Sequence, residues 1–203
     1  MVYFNRNSTG GKSEVAQSTL VFAVVVFVFV VTSLMIAPGA DGLLGAYLAA
    51  LMLGIACNDA RHYLIPNELT AAAFGIALLR GLILPNASAS SMLWLVFRAS
   101  AVSLPLFLLL LFYRHWRGRN GLGLGDVKLA AVAGAWLELP TAAAVIELAA
   151  LSAIAAYTAN AVVRRRSLRR TALLPFGLFM APAIWIGWLS EQLLLRWGYF
   201  WPG

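Results

Sequence analysis

The sequence predicts an all-α fold, a polytopic transmembrane helical bundle of about seven spans (six to seven), and three observations carry that expectation. The first is composition: of 203 residues, 62% are hydrophobic and 11% charged, with a mean hydropathy of +0.83. A soluble domain is nearer half apolar and about a quarter charged. The second is a succession of apolar stretches, most of them long enough to cross a bilayer. The third is charge sidedness. The polar segments between the stretches alternate between basic ones and ones free of Lys and Arg, which is how the positive-inside rule writes topology.

Taken in order, residues 1–18 are polar, carry Arg6 and Lys12, and read as a cytoplasmic tail. Residues 19–37 read as an N-terminal transmembrane anchor. Its apolar run is long for a cleaved signal peptide, and Pro38-Gly39-Ala40 is a poor cleavage site. Further apolar stretches cover 42–58, 68–84, 92–113, 127–139, 141–163 and 173–195, and residues 196–203 form a short C-terminal tail. The stretch 127–139 has 13 residues, about 20 Å of helix against a hydrocarbon core of about 30 Å. It is expected to start below the membrane surface, within a cavity, and to turn back near Pro140.

Twelve of the fifteen basic residues fall on one side of this arrangement: Arg6, Lys12, Arg61, Arg114, Arg117, Arg119, Lys128, Arg164, Arg165, Arg166, Arg169 and Arg170. The N-terminus is therefore expected in the cytoplasm and the C-terminus outside. Arg80, Arg98 and Arg196 are exceptions, expected at interfaces or snorkelling. The net charge of +7 sits in these short clusters, which fits membrane lipid headgroups and no nucleic acid. Cys57, His62 and His115 are too few for a structural zinc site, so neither metal nor cofactor is expected. Cys57 reads as a small buried apolar side chain. Gly10-Gly11-Lys12-Ser13 lacks the upstream glycine of a phosphate loop.

Two of the eight acids stand apart. Asp59 and Asp126 each lie at the cytoplasmic end of an apolar stretch, so they share a depth, and an ionisable group bordering hydrocarbon is by default a functional hypothesis. Asp59 lies in CNDARHYLIPNELT, where Ile65-Pro66 forces an extended segment and Asn67 is placed to cap the next helix. Asp126 follows Gly121, Gly123 and Gly125, a loop suited to close approach and positive φ. Taken singly, Asp59 reads as an interfacial acid paired with Arg61, and Asp126 as a helix N-cap. Taken together, two carboxylates brought close share a proton, one serving as base toward water and the other as acid.

These segments resemble the type IV prepilin peptidases, the GxGD-type intramembrane aspartic proteases. The resemblance rests on Asp59 followed by Ile65-Pro66-Asn67, on Gly123-Leu124-Gly125-Asp126-Val127-Lys128, and on Pro175-Phe176-Gly177 at the start of a late span. It covers about residues 42–187, so 42–195 is expected to be the catalytic domain. It implies a catalytic pair, Asp59 and Asp126, supported by Pro66, Asn67, Gly123, Gly125, Lys128, Pro175, Phe176 and Gly177. It also implies a prepilin or pseudopilin substrate, cleaved at the cytoplasmic face of the bacterial inner membrane. The chain looks like the short form without the N-terminal cysteine-containing domain, which implies peptidase without N-methyltransferase activity. Leu178 stands where the family often has a second proline. Oligomeric state stays open, as do a transporter or a pilus-assembly protein that uses the aspartates without proteolysis.

Overall fold

The computed structural model describes residues 8–37, 39–83, 88–117, 123–164 and 175–198; among them there are seven helices and no strand. The helices are α1 (Ser8–Ile36), α2 (Ala40–His62), α3 (Asn67–Ile83), α4 (Ala89–Arg117), α5 (Leu124–Trp136), α6 (Leu139–Val163) and α7 (Phe176–Arg196). Each apolar stretch of the sequence becomes one helix, because in hydrocarbon a chain must satisfy its own backbone hydrogen bonds. Five contain a segment long and apolar enough to cross a membrane: Thr19–Ile36, Ala40–His62, Ala89–Trp116, Leu139–Val163 and Phe176–Arg196. The chain is a multi-pass membrane protein. α3 has 17 residues and α5 has 13, about 26 Å and 20 Å of helix, short of the roughly 30 Å core.

Helix α1 begins at Ser8, so the polar segment read as a tail is helical from there. Residues 1–7, Gly121 and the basic residues Arg119, Arg165, Arg166, Arg169 and Arg170 lie outside the described residues.

The core forms where α2, α5 and α7 bury their inner faces. Leu48, Met52 and Ile55 of α2, Leu129, Val132 and Trp136 of α5, and Met180, Ile184 and Trp188 of α7 are all fully buried. The short α5 packs on α3, α4, α6 and α7, which places it inside the bundle. α1 packs on α2 and α7 through Phe29 stacked on Trp185 at 4.0 Å and a Trp185 Nε1–H bond to Ser33 Oγ of 2.9 Å. Its other faces expose Leu20, Val24, Phe27 and Val28, as a helix bathed in lipid does.

Where α5 stops short, ionic groups fill the space. Arg80 pairs with Asp41 at 2.6 Å, donates to the Trp136 carbonyl at 3.3 Å and lies over the Trp136 ring. Arg98, 9% exposed, pairs with Glu138. The Glu138 amide in turn donates to the buried Glu191 carboxylate at 2.8 Å. Arg80 and Arg98 therefore do not snorkel; both meet carboxylates, and Arg80 also meets the last carbonyl of α5, where a cation complements the helix dipole.

Candidate active site

At the other end of the bundle, Asp59 lies in the last turn of α2 and is 4% exposed. The backbone N–H of Leu178 donates to its Oδ2 at 2.9 Å, and Gly177 lies directly against the same carboxylate. The sequence arranges this locally. Pro175 ends the incoming chain at the N-cap of α7, and the first amides of a helix have no intrahelical partner. They point toward a site that favours negative charge, and Asp59 occupies it. Phe176 packs its ring against the core alongside. Arg61 is not the partner of Asp59; among the described residues the carboxylate is held by the Leu178 backbone amide.

Gly177 is required by close approach. A Cβ there would stand 3.0 Å from Asp59 Oδ2 and 2.8 Å from Ile65 Cδ1, so a side chain could enter only by displacing the carboxylate and the end of Ile65.

Asp126 is the third residue of α5, not its N-cap. Gly123 takes the cap position, with φ −81° and ψ 145°. Its N–H donates to Asp126 Oδ2 at 3.1 Å, and its carbonyl accepts the Asp126 N–H at 3.1 Å. The acid reaching back is one half of a capping box, while the glycine cap offers its carbonyl in place of a side chain. The alternating glycines therefore do not serve for positive φ at Gly123, which is extended. Gly125 serves for close approach, since a Cβ there would lie 2.9 Å from the Ile65 Cβ.

Asp126 precedes the stretch 127–139 and lies in none of the five spanning segments. Burial pushes its carboxyl up to about 6; the Gly123 amide pulls the other way, and the charge of Asp59 adds to the rise. The two carboxylates are thus near enough for one charge to act on the other.

Ile65 is the residue between them. Its side chain rests on Gly125, next to Asp126, and on Gly177, which touches Asp59. The connection that carries it leaves α2 through Tyr63 in the left-handed conformation, φ 54°, uncommon for a non-glycine residue. Asn58 Nδ2 donates to the Leu64 carbonyl at 2.5 Å, and Pro66 accepts from Thr70 N–H and Oγ1 at 3.2 and 3.1 Å. Asn67 does not cap α3: its Oδ1 accepts from Lys128 Nζ at 2.6 Å, tying the start of α3 to the start of α5. Between those helices lies an apolar groove of ≈ 530 Å³ lined by Thr70, Phe74, Leu78 and Val132, with Asn67 and Lys128 at its end near Asp126.

The structure therefore brings all three sequence segments to one end of the bundle. Sequence reasoning had not singled out the wedge role of Ile65 or the amide of Leu178. Both lay inside segments already quoted, and the signal available was a free N–H at a position without proline. Among the described residues no group of three or more His, Cys, Asp or Glu side chains is placed to hold a metal ion. Chemically, a buried carboxylate held by a backbone amide beside a second, half-buried one is suited to acid–base work on a bond brought to the membrane border.

The model of the type IV leader peptidase family matches residues 46–159, a stretch that contains both Asp59 and Asp126. The prepilin leader peptidase/N-methyltransferase of Aeromonas hydrophila is 28% identical over 182 residues, covering 90% of this chain and 61% of that protein. The protein of the same name from Klebsiella pneumoniae is 36% identical over 109 residues, 54% of this chain and 46% of the relative. Leader peptidase HopD of Escherichia coli is 32% identical over 134 residues, 65% of this chain and 83% of that protein. The chain thus spans about three fifths of the length of the Aeromonas relative and most of the length of HopD. No solved structure matches the chain significantly. On the family match and the coverage of HopD, the chain belongs to the type IV leader peptidase family.

Proposed function

We propose that the protein is a membrane aspartic endopeptidase that removes the leader of type IV prepilins or pseudopilins, with Asp59 and Asp126 as its catalytic pair. The observation that carries the proposal is the convergence of both aspartates and the Pro175-Phe176-Gly177 turn around Ile65 at one end of the bundle. The relatives named as prepilin leader peptidases support the substrate class. The sidedness of the basic residues supports a site facing the cytoplasm from the bacterial inner membrane.

In the proposed reaction the ionised carboxylate of the pair takes a proton from water, whose oxygen attacks the carbonyl carbon of the scissile peptide. The protonated partner donates to the carbonyl oxygen. As the tetrahedral intermediate collapses, the partner takes back the proton it gave to the oxygen, the C–N bond breaks, and the proton taken from water passes to the departing amine. The pair then holds one proton again. A transport role is less well supported, because fully buried Met52, Leu129, Val132 and Ile184 separate the aspartates from the ionic groups at the far end.

The test is coexpression with a tagged prepilin, followed by its mobility and its new N-terminus. A shortened product beginning at the leader junction is the expected result; a full-length precursor in cells holding inserted protein contradicts it.

A further inference from the structure

The connection from α2 to α3 has a property that the aspartates alone do not explain. Residues 64–66 are neither helix nor turn, and among the described residues no group within the protein takes the N–H of Leu64, the N–H of Ile65 or the carbonyl of Ile65. Three neighbouring backbone groups are engaged: Leu64 O by Asn58, Tyr63 N–H by the Asp59 carbonyl, and Pro66 O by Thr70. Unpaired main-chain groups at a membrane border are costly unless something else satisfies them. The segment is also held in place and not left slack. Tyr63 stores left-handed strain at its start, Pro66 fixes its end, and the Ile65 side chain is wedged against Gly125 and Gly177. Tyr63 and Leu64 stand 56% and 67% exposed beside the aspartates.

A peptide bond inside or beside an apolar helix has its own N–H and C=O tied into i to i−4 bonds. Cutting it requires local unwinding, which frees main-chain groups where little water is present to receive them. An extended strip with one donor and one acceptor on the same residue satisfies such groups as a neighbouring strand does. We infer that the Leu64–Pro66 segment is the ledge on which the substrate lies, unwound and extended, exchanging main-chain hydrogen bonds with the N–H and C=O of Ile65 while the aspartates cut beside it. This rests on the peptidase reading above and adds the recognition mode: a peptide read through its backbone at the cut, which tolerates many side chains there.

The test uses the purified full chain in lipid vesicles and a synthetic peptide spanning a leader and the start of an apolar helix. Single peptide nitrogens on either side of the cut are methylated in turn. A strand-like partner pairs only alternate residues, so cleavage should fall about tenfold or more when an inward nitrogen is methylated and change little at its neighbours. A second arm replaces the Ile65 amide by an ester, using the α-hydroxy analogue of isoleucine, which removes the N–H and keeps the side chain. The expected result is a KM raised about tenfold with kcat changed less, at an unchanged melting temperature. Equal sensitivity at every nitrogen, or an ester variant with unaltered KM, overturns the ledge while leaving the peptidase reading intact. No cleavage of the unmodified peptide overturns both.

Discussion

The amide of Leu178 donates to the Asp59 carboxylate at 2.9 Å across 119 residues of chain. One hydrogen bond therefore fixes the last turn of α2 to the first turn of α7. Only the backbone of residue 178 takes part in it, while its side chain packs on the core; at residue 177 a side chain would press on the Asp59 carboxylate and Ile65.

That asymmetry gives a prediction. Leu178→Ala keeps the amide but removes packing against the core; it should cost about 1–2 kcal/mol of stability and leave cleavage per folded molecule within about twofold. Gly177→Ala forces a methyl group against Asp59 and Ile65. It should cost about 1–3 kcal/mol of stability and lower cleavage by more than tenfold, since the displaced group is the carboxylate itself. Parallel cleavage assays and thermal melts of the two variants check this.

The raised Asp126 carboxyl carries a pH signature. Its value in the folded protein is about 6, above the ordinary 3.8, so the folded state binds its proton more tightly than the unfolded chain does. The stabilisation linked to that proton is fully present below the ordinary value and is lost as pH rises through about 6. The melting temperature in detergent should therefore fall between about pH 5 and pH 7. Asp126→Asn should show a shallower fall over the same range while being inactive. An identical pH slope in both proteins contradicts the assignment.

The ionic groups at the far end should matter for stability and not for chemistry. Asp41→Asn leaves Arg80 without its carboxylate and should cost about 2 kcal/mol. The site lies at the other end of α5, so kcat per folded molecule should stay within about twofold. A melt read beside an active-fraction-corrected rate separates the two effects.

How much of this was legible in the sequence differs by level. The seven helices were, because long apolar runs in lipid leave helix as the available conformation, and even the 13-residue length of α5 was visible in the stretch 127–139. The side-chain roles were less so. Asn67 has the composition of a cap, yet tertiary contact with Lys128 outweighs the local bond it might have made with its own helix. Taken singly Asp126 has the look of an N-cap, yet it stands three positions further in, because Gly123 offers no side chain to mark where the helix begins. Arg80 and Arg98 look, in the sequence, like interfacial or snorkelling residues. Their partners Asp41 and Glu138 lie 39 and 40 residues away in the chain, a distance that no local pattern spans. Ile65 looked like an ordinary apolar residue before a proline, and only the packing of Gly125 and Gly177 against it shows why a β-branched side chain stands there.

The most direct test of the central claim is processing of a coexpressed prepilin by the wild-type chain and by Asp59→Asn and Asp126→Asn, each quantified in the membrane. Each single substitution should reduce leader removal by at least about a thousandfold, because the two groups act as one unit and neither half suffices. Processing by either inserted variant at a rate near that of the wild type would contradict the claim that Asp59 and Asp126 form the catalytic pair.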